Sequence, residues 1–312
     1  MILALLQHGE EAAGTAPEKF NVGEAILEHV SNSSIDEPLI HLPKIWIFDF
    51  SVTKHVFMLW LVAFLVFTIV TLIVRRHLKR GGLVPAGPAT VLEYLVEFIR
   101  DSIALPNFGK KWVNTWTPLV LTFFVFIFSA NLIGMIPIFD FLGVLNSFVI
   151  HADHHSFFGK VIHGSTTATG NFNVTAALAM VTFFAIILAG SKAHGFVKHF
   201  KNIVPHGLPW WVYFLLVPIE VLGMFVKPFA LTMRLAANMT GGHIALMAVM
   251  SMVLLFTEMF KSALAGMAVG VLLSVPLSVG LSALELIVVL VQAYVFTLLS
   301  AVFIGMAIHV HH

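Results

Sequence analysis

Two stretches of this chain, residues 212–257 and 262–309, are each nearly fifty residues long and mainly apolar. As α-helix each would measure about 70 Å, against roughly 30 Å of membrane hydrocarbon. Each is therefore either a hairpin of two ordinary spans or one long, steeply tilted helix. Both options return the chain to the same side, so topology rules do not separate seven spans from five. Tilts much above about 40° are unusual, so periodicity alone favours hairpins.

The chain is 59% hydrophobic and 11% charged, with a mean hydropathy of +0.95. That composition describes an all-α polytopic membrane protein. A net charge of +1 without a basic stripe excludes a nucleic-acid binder. The chain has no cysteine, which excludes disulfides, thiolate catalysis and Cys-based zinc or iron–sulfur sites. No Gly-x-x-x-x-Gly-Lys-Ser/Thr run occurs, so no direct nucleotide binding is expected. Residues 1–6 are too short for a signal-peptide core, and the N-terminus is expected to be uncleaved.

Residues 1–50 are polar and mixed and read as a partly disordered extramembrane segment, with the membrane domain over 51–312. A first span at 55–74 stops at Arg75-Arg-His-Leu-Lys-Arg80, whose cations place that end inside and the N-terminus outside. Residues 90–105 set Glu93, Glu97, Arg100 and Asp101 among apolar residues at helical spacing, which predicts one amphipathic helix on the inner surface. Lys110 and Lys111 precede a second span at 116–137. The loop at 139–172 holds His151, His154, His155 and His163 with Lys160 as its cation, which reads as an outer loop. Those histidines could bind a divalent metal, but without a rigid frame they read as solvated groups at an aqueous inlet. A third span at 174–189 meets Lys192, His194, Lys198, His199 and Lys201, a second inner basic cluster, and the C-terminus is expected inside.

Polar residues in the two long segments are ordered. Glu220, Lys227, Arg234 and Gly241 recur every seventh residue, as do Ser278, Glu285 and Gln292. Seven residues of helix return to within about 20° of the starting face. A hairpin broken near Arg234 would destroy the first stripe; a continuous helix keeps it. Asn238 lies one turn beyond Arg234 on the same side, whereas His243 points to the other.

An arginine at mid-membrane depth costs from about 2.5 to more than 10 kcal/mol. Glu, His, Asn and Gln can relay protons directly or through water, and arginine keeps its proton at any relevant pH. Beside such a relay it acts as an electrostatic gate for a nearby carboxylic acid. Glu220 is about four turns away on the same segment, so the acid is Glu285 or belongs to another chain. The plainer alternative is an Arg–Glu pair that locks two helices. Lys227 could snorkel to water, and Glu258 and Lys261 read as surface charges at the turn. The small residues Ala230, Ala236, Ala237, Gly241 and Gly242, with Ala263, Ala265, Gly266, Ala268, Gly270 and Gly280, suit close helix packing or a smooth sliding surface.

The run Arg234-Leu-Ala-Ala-Asn-Met-Thr-Gly-Gly-His243 resembles the signature of subunit a, the proton-channel stator subunit of F-type ATP synthase. Asn131-Leu-Ile-Gly-Met-Ile-Pro137, Asn171-Phe-Asn-Val-Thr175, Glu220 with Lys227-Pro228, and Glu285 with Gln292 extend the resemblance over about residues 50–308. It implies five membrane helices plus one amphipathic surface helix, the last two membrane helices long and steeply tilted. Arg234 would face the c-subunit ring, hold each passing carboxylate deprotonated and block a short circuit between two offset half-channels. Asn238 and Gln292 would lie near it, His243 and Glu285 would line the outer half-channel, and Glu220 the inner. Some members carry acid and histidine at those two outer positions in exchanged order. The implied partners are the c-ring, peripheral-stalk b subunits and membrane lipid, in a bacterial inner membrane, with no cofactor and no catalytic chemistry in this chain. Gly134 stands where many bacterial members carry an acid, with Asp140 the nearest candidate. A competing class is the secondary cation/proton transporter, which predicts an inverted repeat and broken helices. A structural anchor would leave Arg234, Glu285 and Gln292 unexplained. Sodium coupling would be decided by the c subunit.

Overall fold

The computed structural model describes residues 51–80, 86–136, 146, 168–201 and 209–309. The N-terminal segment 1–50, the histidines at 151–163 and Asp140 lie outside the described residues. The elements are α1 (Lys54–Arg80), α2 (Pro88–Phe98), a π-helical turn (Ile99–Ala104), α3 (Leu105–Met135), a 3-10 turn (Ala168–Gly170), α4 (Phe172–His194), α5 (Phe196–Lys201), α6 (Trp210–Phe260) and α7 (Ala263–Ile308). No strand occurs among the described residues.

Among the described residues, five helical segments are long and apolar enough to cross a membrane. Helix α6 runs through 51 residues and α7 through 46, with Pro218, Pro228 and Pro276 accommodated inside them. The two long apolar segments are thus single helices, which gives five candidate spans rather than seven among the described residues.

Proline at the first helical position opens α2, after Gly87 with its positive φ of 65°. Its acids Glu93 and Glu97 are exposed, while Ile99 and Ile103 of the following turn are fully buried. This amphipathic stretch continues past residue 105 to Gly109, whose φ of 69° and ψ of 169° interrupt the helix. The corner therefore sits at a residue without a Cβ, a few positions later than hydropathy suggests.

The chain divides into two compact units. One comprises Trp60–Ala130, Thr169–Ala237 and Val289–His312. Its core joins Ile103, Phe108, Val120 and Ile127 to Ala179 and Ala189 of α4, Leu231 and Leu235 of α6, and Phe296 and Ile304 of α7. Phe123 and Phe296 meet edge-on at 5.5 Å, and the buried hydroxyls of Thr182 and Ser300 hydrogen-bond at 3.1 Å. Asn171 caps α4, its Oδ1 accepting from the Asn173 N–H at 2.8 Å. At the other end, His194 Nε2 donates to the Ile308 carbonyl at 2.9 Å and His309 Nε2 to the Phe108 carbonyl at 3.2 Å. Both carbonyls lie beside helix ends or breaks, where the helix supplies too few donors.

The described part of the other unit is mainly 238–288. Here the second half of α6 and the first half of α7 run antiparallel. Gly270 faces the Val253 backbone so closely that a Cβ would lie 2.7 Å from its Cα, and Gly266 abuts Thr257 in the same way. Gly266 and Gly270 thus serve close helix approach.

Candidate functional site

Helix α6 has two distinct faces around the signature. Leu231, Thr232, Leu235, Ala236 and Met239 are buried, whereas Ala230, Met233, Arg234, Ala237, Asn238 and Gly241 are exposed. The spacing of the exposed set follows one side of a 3.6-residue helix. Arg234 therefore stands on an open strip with small neighbours, and among the described residues no ion pair reaches it. Glu220 and Lys227, earlier on the stripe, are half-buried.

Lys227 does not simply extend to solvent: its Nζ lies 5.6 Å from the centre of the Phe303 ring on α7. That cation–π contact holds the ammonium against the helix pair. Gln292, in the same unit as Arg234 and Glu220, is 6% exposed. In chain order Arg234 and Gln292 follow and precede the Lys227–Phe303 contact by two and three turns respectively.

Asn238, His243 and Glu285 belong to the other unit. His243 is half-buried. Glu285 is 8% exposed, and its Oε1 has no hydrogen-bond partner among the described residues. This oxygen lies against Gly242, where a Cβ would come within 2.8 Å of it. Neighbouring Gly241 is open, with nothing within 4 Å of its Cβ position. The glycine doublet thus has two uses: Gly241 keeps the exposed strip bare, and Gly242 makes room for a buried carboxyl group. The sequence reads both as suited to close packing or a smooth sliding surface, and it does not show the room that Gly242 makes for Glu285. The available signal was two adjacent glycines inside a helix, each costing about 1 kcal/mol relative to alanine.

Glu258 and Lys261 are exposed at the α6–α7 turn. Gly134 is buried in α3. Among the described residues, no group of three or more acidic or histidine side chains is arranged to hold a metal ion.

A buried, unpartnered carboxyl group can exchange a proton with water, and a permanently charged, exposed guanidinium can act on an anion outside this chain. The family model described as ATP synthase A chain matches residues 56–305. ATP synthase subunit a 2 of Prosthecochloris aestuarii is 36% identical over 307 residues, covering 96% of this chain and 84% of that protein. ATP synthase subunit a 2 of Chlorobaculum tepidum is 38% identical, covering 96% of this chain and 77% of its own length. ATP synthase subunit a of Myxococcus xanthus is 38% identical over 265 residues, with 85% and 75% coverage. With the signature on α6 and the polar residues on α7 inside the matched region, the chain belongs to the ATP synthase A chain family.

Proposed function

We propose that this chain is the proton-conducting stator subunit of the membrane sector of an F-type ATP synthase. It forms two offset half-channels and couples proton flow to rotation of a c-subunit ring. The carrying observation is Arg234, exposed on a long apolar helix with no ion pair among the described residues. A guanidinium in that position needs an anion, and a carboxylate passing on a mobile partner supplies one. Each carboxylate gives up its proton as it nears Arg234, because the cation favours the charged form. The guanidinium cannot carry the proton onward, so protons cannot leak directly between the half-channels.

In this reading Glu285 and His243 serve the outer half-channel and Glu220 the inner, with Asn238 and Gln292 beside the arginine. The buried Oε1 of Glu285, without a hydrogen-bond partner among the described residues, has a lone pair for water or for a proton in transit. Helices α6 and α7, each about 70 Å or more in length, lie steeply oblique to the bilayer along the ring. In this reading the C-terminal ends of α1 and α4 and the C-terminus of the chain lie on the cytoplasmic side of a bacterial inner membrane, an orientation supported by Arg75, Arg76, Lys79 and Lys192. Peripheral-stalk b subunits complete the stator. The unbroken course of α6 and α7 weighs against a secondary transporter, whose binding helices are discontinuous at mid-membrane.

The test is Arg234→Ala in the assembled complex. ATP-driven proton pumping and ATP synthesis should be abolished while ATP hydrolysis by detached catalytic heads persists. Normal pumping in that variant would refute the mechanism.

A further inference from the structure

Helix α4 runs for 23 residues, about 35 Å, enough to cross the hydrocarbon and bring Lys192 to its boundary. At Gly195 the backbone takes φ 87°, a conformation that suits glycine, and the chain turns into the six-residue α5. The α5 helix is pinned by His199. Its ring, 5% exposed, lies against the α4 backbone at Gly190, where any Cβ would overlap it. Phe196 and Val197, which precede His199, are 65% and 66% exposed, and Lys198, next to them in sequence, is exposed as well, with Lys192 half-buried. Residues 190–201 contain no acid.

Two apolar side chains held outward at the end of a membrane-crossing helix, flanked by two cations, match one chemistry. The apolar pair fits the upper acyl region of a bilayer, and the ammonium groups fit phosphate at headgroup depth. We propose that the α4–α5 corner is a binding site for an anionic phospholipid of the surrounding bilayer. Lys192 and Lys198 hold the headgroup phosphate, and Phe196 and Val197 enter the acyl layer. The Gly190–His199 contact is the positioning device that presents them. Charge complementarity selects an anionic over a zwitterionic lipid, since each cation near an anionic surface contributes about five-fold in association.

The test uses the whole ATP synthase complex in phosphatidylcholine vesicles containing trace photoactivatable phosphatidylglycerol or, in parallel, photoactivatable phosphatidylcholine. Adducts on the peptide spanning 191–201 are counted by mass spectrometry. The wild-type complex should favour phosphatidylglycerol by at least five-fold. Lys192→Gln with Lys198→Gln should bring the ratio close to one, and Lys192→Arg with Lys198→Arg should retain it. Gly190→Val, which removes no charge, should also lower the ratio by displacing α5. Val197→Cys, the one cysteine this chain would then hold, carries a benzophenone that should capture lipid. Equal labelling by both lipids in the wild type, or a ratio unchanged by the glutamines, overturns the proposal. So does capture of another polypeptide at position 197, which would make the corner a protein interface.

Discussion

Substituting Gly242→Ala isolates the Glu285 carboxyl group from the rest of the structure. The added Cβ would sit 2.8 Å from Oε1, 3.2 Å from Cδ and 3.6 Å from Cγ of Glu285. Ordinary non-bonded separation begins at about 3.5 Å, so the carboxyl must withdraw by roughly 0.7 Å. The obstructing atom is the far end of a flexible side chain, and the strain of turning it is about 0.5–1.5 kcal/mol. Alanine in a helix interior regains about 1 kcal/mol over glycine. These contributions nearly cancel, so thermal stability of the complex should change little. Gly241→Ala, which meets nothing within 4 Å, should gain the helical contribution alone and serves as the stability control. Function should respond differently, because a misplacement of about 1 Å can cost on the order of 100-fold in a step that depends on geometry. ATP-driven proton pumping in inverted membrane vesicles, measured at matched hydrolysis capacity, should fall between about ten- and 100-fold. Glu285→Asp withdraws the carboxyl by one methylene, so combining it with Gly242→Ala should do less harm than the two separate effects sum to. A coupling of about 1 kcal/mol or more is expected from the double-mutant cycle. Wild-type pumping by Gly242→Ala, or strict additivity with Glu285→Asp, would refute the argument.

Three further outcomes follow from contacts described above. Phe303→Leu removes the ring beneath Lys227 and should lower the stability of the complex by about 0.5–2 kcal/mol, read as a lower dissociation temperature. Thr182→Val and Ser300→Ala should each cost about 0.6 kcal/mol in thermal assays, whereas the double variant should cost less than their sum because no hydroxyl is left alone. The His199 imidazole is held below its ordinary value of 6.5, first by burial and then by neighbouring His194. Its neutral form is therefore the one that docks: docking is complete above about pH 6.5 and is lost as pH falls through the lowered value. Hydrogen-exchange protection at 196–201, corrected for the intrinsic exchange rate, should fall as the pH is lowered below 6.5 in the wild type and lose that dependence in His199→Gln.

The sequence made the long helices legible through charge rather than hydropathy. Length and hydropathy alone favoured two spans over 212–257, but Glu220, Lys227 and Arg234 keep a common stripe only if the helix is unbroken, as α6 is. The ends were less legible. The α1 helix continues through Arg75, Arg76 and Lys79, since charged side chains stop burial in hydrocarbon without stopping a helix. The break at Gly109 and the preceding π-helical turn depend on backbone angles that no hydrophobic period encodes. Burial divided the candidate site in a way periodicity could not. Arg234 and Glu285 are both polar residues in apolar runs, yet one is exposed and the other enclosed. The space at Gly242 for that enclosed carboxyl depends on the pairing of two distant segments, so the local pattern showed only a small residue.

The bracing of Arg234 has a mechanical consequence. Leu231 and Leu235, one turn before and one residue after it, are each 1% exposed and fastened into a core that includes Ala293 and Phe296 of α7. A sideways pull on the guanidinium is therefore resisted by close-packed side chains of low compressibility rather than by a flexible loop. The charge is attached to a stiff mount, and a lateral load on it would be carried into the two longest helices among the described residues.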